Sequence, residues 1–204
     1  FGLPPSVGVR LTGPVVARYR ARYPQVGLAI VEELSGEVQQ GLLTGTLDLG
    51  LLYAGTVSPS LRSEPLLAER LHVLAPPGGA ILSGRPVPFH DLAGMPLLLP
   101  GRRHGLRAVV EQAAFRHGLR LSVDIEADSL RVLSELARRG LAPVIHAPSA
   151  FDAELAAGEL VAAPIEPEIQ RSIVLAWPRD RAQSRAALAM ASVIREEAAR
   201  LWPG

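Results

Sequence analysis

Apolar and polar positions along this chain switch repeatedly between a helical period and short, nearly continuous apolar runs. Val7, Leu11, Val15, Tyr19 and Tyr23 recur every four residues, with Arg10, Arg18, Arg20 and Arg22 largely elsewhere, so a helix is expected over residues 6–23, stopped by Pro24. A strand over 26–31 and a short amphipathic helix over 36–43 follow. The run 47–53, broken only by Asp48, suits a strand covered on both faces of a parallel sheet. Residues 64–75 hold two short strands or one bent one, and Pro76-Pro77-Gly78-Gly79 then ends all periodicity.

A second series repeats the first. Strands are expected over 96–99, 121–126, 142–146, 159–163 and 169–177, and helices over 103–117, 129–139, 148–157 and 184–201. Gly140 reads as the residue just past its helix, and Ser184 as the N-cap of the last one, with Leu188, Val193, Ile194 and Leu201 on its buried face. The segments SGEVQQGLLTGTLDLGLLY and SLRVLSELARRGLAPVIHAP share one plan: N-cap serine, amphipathic helix, glycine, apolar strand, polar or aromatic residue at the strand end. Two α/β lobes are the expected architecture. The last strand and helix rejoin the first lobe, and a ligand binds between lobes where helix N-termini converge.

Composition narrows the class. A hydrophobic content of 48% describes a folded chain, and 204 residues suffice for two lobes of about 100 residues each. The net charge of +1 advertises neither nucleic acid nor membrane, and all 21 basic residues are arginine. Without cysteine there are no disulfides, thiolate metal sites or cysteine nucleophiles. No apolar run reaches the ~20 residues of a membrane helix. Phe1-Gly2-Leu3 reads as the tail of a strand already under way, and the chain as a fragment of something longer.

The wording of several segments then resembles a known family. The stretch from Pro4 to Tyr53, with its first helix, Tyr23-Pro24, a strand ending Glu32-Glu33-Leu34-Ser35-Gly36 and a helix leading to Gly45-Thr46-Leu47-Asp48-Leu49, resembles the effector-binding domain of LysR-type transcriptional regulators. Glu64–Leu67, Val73–Pro76, Asp91–Pro100, Arg102–Arg107, Gly158–Val161 and Arg171–Pro178 continue it in order across essentially the whole chain. Arg102–Arg107 is similar in wording to the nitrogen-assimilation branch.

The resemblance implies a two-lobed, periplasmic-binding-protein-like (type 2) α/β fold: two sheets flanked by helices and joined by two crossover strands. Lobe I would be 1–75 plus 168–204 and lobe II 76–167. It implies a cytoplasmic bacterial sensor whose effector alters DNA binding by an N-terminal winged helix-turn-helix absent from this chain. DNA would be met only through that missing part. It also implies side-by-side antiparallel dimers, with helix 6–23 and strand 26–31 of one copy against helix 103–117 and strand 121–126 of the other, and tetramers of the full-length protein.

Candidate effector contacts are Ser6, Ser35, Tyr53, Gly101, Arg102 and Ser129. Ser6 and Ser35 read as N-caps whose neighbouring N–H groups can hold a carboxylate; in the family both face the interlobe cleft. Tyr53 aligns with a pocket-lining position. Arg102 and Arg103 at a helix start oppose the macrodipole, which an anionic effector would relieve. Where Gly101 stands, relatives often carry Ser or Thr, so one hydroxyl contact is lost. Asp128-Ser129 reads as a helix cap, His146 as a strand-end residue able to act as a pH-sensitive contact, and Asp124 and Glu126 as a solvated strand edge.

No nucleophile elbow, P-loop, H-E-x-x-H or G-x-G-x-x-G occurs, and the histidines lack metal-ligand spacing, so no enzyme, cofactor or metal is expected. The competing expectations are a transport solute-binding protein, which would carry an export signal upstream of Phe1, and a small Ser/His/Asp hydrolase.

Overall fold

The computed structural model describes residues 1–203. Strand β1 (Gly2–Leu3), helix α1 (Pro5–Arg22), β2 (Val31–Glu32), α2 (Ser35–Thr44), β3 (Gly50–Tyr53) and β4 (Leu61–Arg70) come first. Then follow β5 (His72–Ala75), β6 (Val87–Pro88), β7 (Pro96–Leu99), α3 (Gly105–Arg116), β8 (Ser122–Glu126) and α4 (Leu130–Arg138). The chain closes with β9 (Val144–His146), α5 (Asp152–Ala156), β10 (Val161–Glu166), β11 (Gln170–Pro178) and α6 (Arg185–Leu201). One sheet has the order β2-β1-β3-β11-β4, the other β6-β10-β5-β9-β7-β8.

The chain divides into a first unit, Phe1–Ala68 with the chain from Ser172 onward, and a second, Glu69–Arg171. It passes from one to the other inside β4 and again inside β11, which are the two crossover strands. Residues 69–75 and 168–171, expected with the first lobe, fall in the second unit. The reason is pairing: β5 lies antiparallel to both β9 and β10, and Leu71 N–H donates to the Ile169 carbonyl at 2.7 Å.

In the first unit β1, β2 and β3 run parallel and β11 runs antiparallel to β3. Pro5 opens α1 at the position where a missing N–H costs nothing, and Val7, Leu11, Val15 and Tyr19 are buried as their spacing predicts. Tyr23, one turn further, is exposed. The ladder between β1 and β2 spans only Gly2↔Val31 and Leu3↔Glu32, so β2 is much shorter than the strand expected over 26–31. Helix α2 ends at Gly45, whose φ of 82° favours glycine. Its Val38 and Leu42 pack with Leu47, Leu52, Leu61, Val174 and Ala176.

Helix α6 starts as predicted, with Ser184 Oγ accepting from Ala187 N–H at 3.1 Å. Its buried stripe is Ala187, Met190, Ala191, Val193, Ile194 and Ala198, while Leu188, expected inside, lies 51% exposed on another face. Helix α1 meets it through Tyr19 Oη, which donates to the Ala186 carbonyl at 3.0 Å, and through Arg22, which donates to both oxygens of Glu196 at 2.9 and 2.8 Å. Those bonds and the Arg18 contact hold the Glu196 carboxyl at about 2.

In the second unit β7, β8 and β9 run parallel, and Leu74, Leu98, Leu133, Ala137, Val144 and Phe151 build the core. Gly140, at φ 70°, ends α4 as expected. The helix expected over 148–157 is instead a 3₁₀ turn, Pro148–Phe151, followed by α5.

Candidate functional site

The serine positions follow from strand register. Leu3 of β1 pairs with Glu32 of β2, and three residues beyond each lie Ser6 and Ser35. Tyr53 ends the next parallel strand, β3. All three therefore sit at the carboxyl edge of the first unit's parallel strands, where open α/β sheets bind ligands. All three are buried: Ser6 is 2% exposed, Ser35 5% and Tyr53 1%.

Ser35 is not the N-cap. Leu34 holds that position, its carbonyl accepting from Val38 N–H at 3.0 Å, and Ser35 is the first residue inside α2. Its Oγ is buried with no hydrogen-bond partner. Such a hydroxyl costs about 1–3 kcal/mol and calls for an explanation. Ser6 likewise lies inside its helix, since Pro4 is the N-cap of α1. Errors of one or two residues arise because the cap is defined by backbone dihedrals, and Pro4 and Leu34 adopt the extended conformation themselves.

The second unit repeats the arrangement with the same offset. Leu99 of β7 pairs with Glu126 of β8, and three residues beyond each lie Arg102 and Ser129. Ser129 is the N-cap of α4 by position, but its side chain makes no capping bond. The Asp128 carboxylate, expected to share that cap, instead accepts from Gly101 N–H at 2.9 Å. A Cβ on residue 101 would stand 2.7 Å from that oxygen, so any larger residue would push the Asp128 carboxylate aside.

Arg102 and Arg103 are exposed in the turn before α3 and make no ion pair among the described residues. The helix N-terminus is served by His104, whose Nδ1 accepts from Leu106 N–H at 3.2 Å. The macrodipole conflict inferred from the sequence is thus weaker than expected, because the two cations stand outside the helix.

Several buried polar residues escaped sequence reasoning, Arg107, Arg171 and His104 among them. Arg107 donates to Glu111 at 2.8 Å, to Glu126 at 2.9 Å and to the Pro100 carbonyl at 3.0 Å, and so fixes the turn that carries Gly101 and Arg102. Glu126 is accordingly an ion-pair partner as well as an edge residue. Arg171, fully buried, donates from Nε to Glu69 at 2.8 Å. His104 is also buried, and both it and Arg171 depress the pKa of His146. An arginine next to the inward Leu106 and Val110 was the one available signal for Arg107; nothing local marks Arg171.

His146 is buried at the end of β9, its Nδ1 accepting from Ala147 N–H at 2.9 Å and its ring edge-on to Phe151 at 5.3 Å. Burial, and then Arg171 and His104, push its pKa well below the usual imidazole value, so it is neutral at neutral pH. Among the described residues, no three His, Asp or Glu side chains cluster as metal ligands, and no helix is long and apolar enough to cross a membrane.

Residues 1–199 match the LysR substrate binding domain family. The chain is 32% identical over 149 residues to the HTH-type transcriptional regulator BbuR of Bordetella bronchiseptica, covering 73% of this chain and 45% of that protein. It spans about half the length of the relatives it matches. Its fold is similar to the Synechocystis CcmR regulatory domain in complex with 2-PG, with a TM-score of 0.87, 15% identity, and 96% of this chain and 94% of that one covered. It is also similar to the effector-binding domain of QuiR in complex with shikimate, with a TM-score of 0.86, 14% identity, and 98% and 96% covered. Matched along nearly all of its length, with the expected two sheets and carboxyl-edge serines, this chain belongs to the LysR substrate-binding domain family.

Proposed function

We propose that this chain senses a small, carboxylate-bearing effector for a transcriptional regulator, and that the effector is held at the carboxyl edge of the first unit's parallel strands. The observation that carries this reading is Ser35 Oγ, buried without a partner in the first turn of α2, on the same edge as Ser6 and Tyr53. A ligand carboxylate would give that hydroxyl its acceptor and would meet the free N–H groups of a helix start, whose partial positive charge favours an anion. Within the second unit, Gly101, Arg102 and Ser129 form the equivalent candidate edge, with Arg102 as its cation.

The relatives are transcriptional regulators, which supports sensing over catalysis. The effector would act by favouring one arrangement of the domain over another, and the change would reach DNA through a winged helix-turn-helix in the N-terminal part of the full-length protein. Dimers, and tetramers of the full-length protein in the cytoplasm, complete the proposal. A thermal-shift screen of small metabolites tests it: a carboxylate should raise Tm, and Ser35→Ala and Arg102→Ala should each reduce that rise. A screen yielding only cations or neutral apolar ligands would contradict it.

A further inference from the structure

The opposite, amino-terminal edge of the first unit's parallel strands carries a second concentration of polar chemistry. Strand β11 runs antiparallel to β3 with Ala176 opposite Gly50, so Trp177 and the residues after it emerge beyond the start of β3. A groove of about 320 Å³ lies there, with Arg62, Trp177, Arg179, Asp180, Arg181 and Gln183 in its lining.

Two of the groove's three guanidinium groups are anchored on backbone carbonyls. Arg179 donates from Nε to the Pro59 carbonyl at 3.2 Å, and Arg181 donates to the carbonyls of Gly45 at 3.3 Å and Leu47 at 3.0 Å. Arg62 makes no hydrogen bond or ion pair among the described residues. Elsewhere in this unit Arg18, Arg22, Arg195 and Arg200 pair with carboxylates, whereas the exposed Arg20 and Arg185 stand apart from any among the described residues. Here the anchors are neutral carbonyls, which fix the direction of a guanidinium without compensating its charge. Asp180, the one carboxylate in the lining, pairs with none of the three. Gln183 Nε2, in the same lining, is a buried donor with no partner.

We propose that this groove is a second anion-binding site, apart from the serine-lined edge, and that it takes a small molecule bearing a phosphate or diphosphate group. Guanidinium forks match the oxygens of such a group, and for the anchored Arg179 and Arg181 part of the ordering cost is already met in the free protein. The volume sits at the low end for small-molecule sites, which suits a compact anion over a macromolecular surface.

The test is calorimetric titration of inorganic pyrophosphate into the 204-residue protein at low ionic strength, where screening is weakest. Saturable binding is expected, weakened about tenfold in Arg62→Gln and in Arg179→Gln, as befits loss of one charge-assisted bond. Ser35→Ala should bind pyrophosphate as the parent does. Arg62 holds nothing else in place, so its replacement leaves the fold intact and keeps the result readable. Absence of saturable binding, unchanged affinity in both arginine variants, or loss of affinity in Ser35→Ala alone would each overturn the assignment.

Discussion

Ser35→Ala separates two accounts of one residue by the sign of its effect. If Ser35 capped α2, removing its hydroxyl would destabilise the protein by about 1 kcal/mol. The structure instead places it inside the helix with a buried, unpartnered Oγ. Deleting such a group removes a desolvation penalty of about 1–3 kcal/mol, and alanine adds a few tenths as the better helix former. Setting the small gap left by one oxygen against this, the free protein should gain ~1 kcal/mol, or ~2–4 °C in Tm for a chain of this size. Thermal unfolding of the ligand-free protein, checked by urea titration, reads the change directly. A fall in Tm of a few degrees in the absence of ligand would refute the reasoning and restore the cap. The same substitution should weaken effector binding, so stability and response should move in opposite directions, the pattern of a group retained for function.

Three further perturbations address the surroundings of the two edges. Gly50→Ala would put a Cβ 2.6 Å from Val38 Cγ1 and 3.0 Å from Leu42 Cδ1, both on buried residues of α2, so a loss of about 1–3 kcal/mol in urea unfolding is expected. Glu69→Gln removes a carboxylate partner of the fully buried Arg171 and should cost about 3–5 kcal/mol; a cost below ~1 kcal/mol would show the pair to be dispensable. The depressed pKa of His146 means the unfolded chain binds that proton more readily, so its stabilising contribution is complete above about pH 6.5 and is lost as pH falls below that value. His72, also lowered by burial, adds in the same direction. Urea midpoints should drop between pH 7.5 and 5.5, and His146→Gln should flatten that slope; an unchanged slope would remove His146 from the explanation.

Local signals carried much of this fold and non-local ones did not. Helices α1 and α6 were legible because period, capping and Pro or Gly stops all lie within a few residues of each other. The strand expected over 26–31 shrank to Val31–Glu32 because a ladder's length is set by its partner, here β1, which pairs over only two residues. The repeated plan of serine, helix, glycine and strand was visible in the sequence. The common three-residue offset of Ser6, Ser35, Arg102 and Ser129 became visible only with the register. Gly101 illustrates the limit best. From sequence it was a missing hydroxyl, whereas in the structure it admits the Asp128 carboxylate, a contact between residues 27 apart in the chain. Arg171 was beyond reach for the same reason, since its partner Glu69 lies 102 residues away, and so were the bonds of Arg107 to Glu126 and the Pro100 carbonyl.

The central claim, that an anionic effector is held at the edge marked by Ser35, is tested most directly by titrating a panel of small carboxylates into isotope-labelled protein and following backbone amides. A binder is expected to shift Ser35, Gly36 and Glu37 at the start of α2 together with residues at the start of α1, and to lose about tenfold in affinity in Ser35→Ala. A carboxylate that binds while leaving those amides unmoved, or that binds Ser35→Ala as tightly as the parent protein, would contradict it.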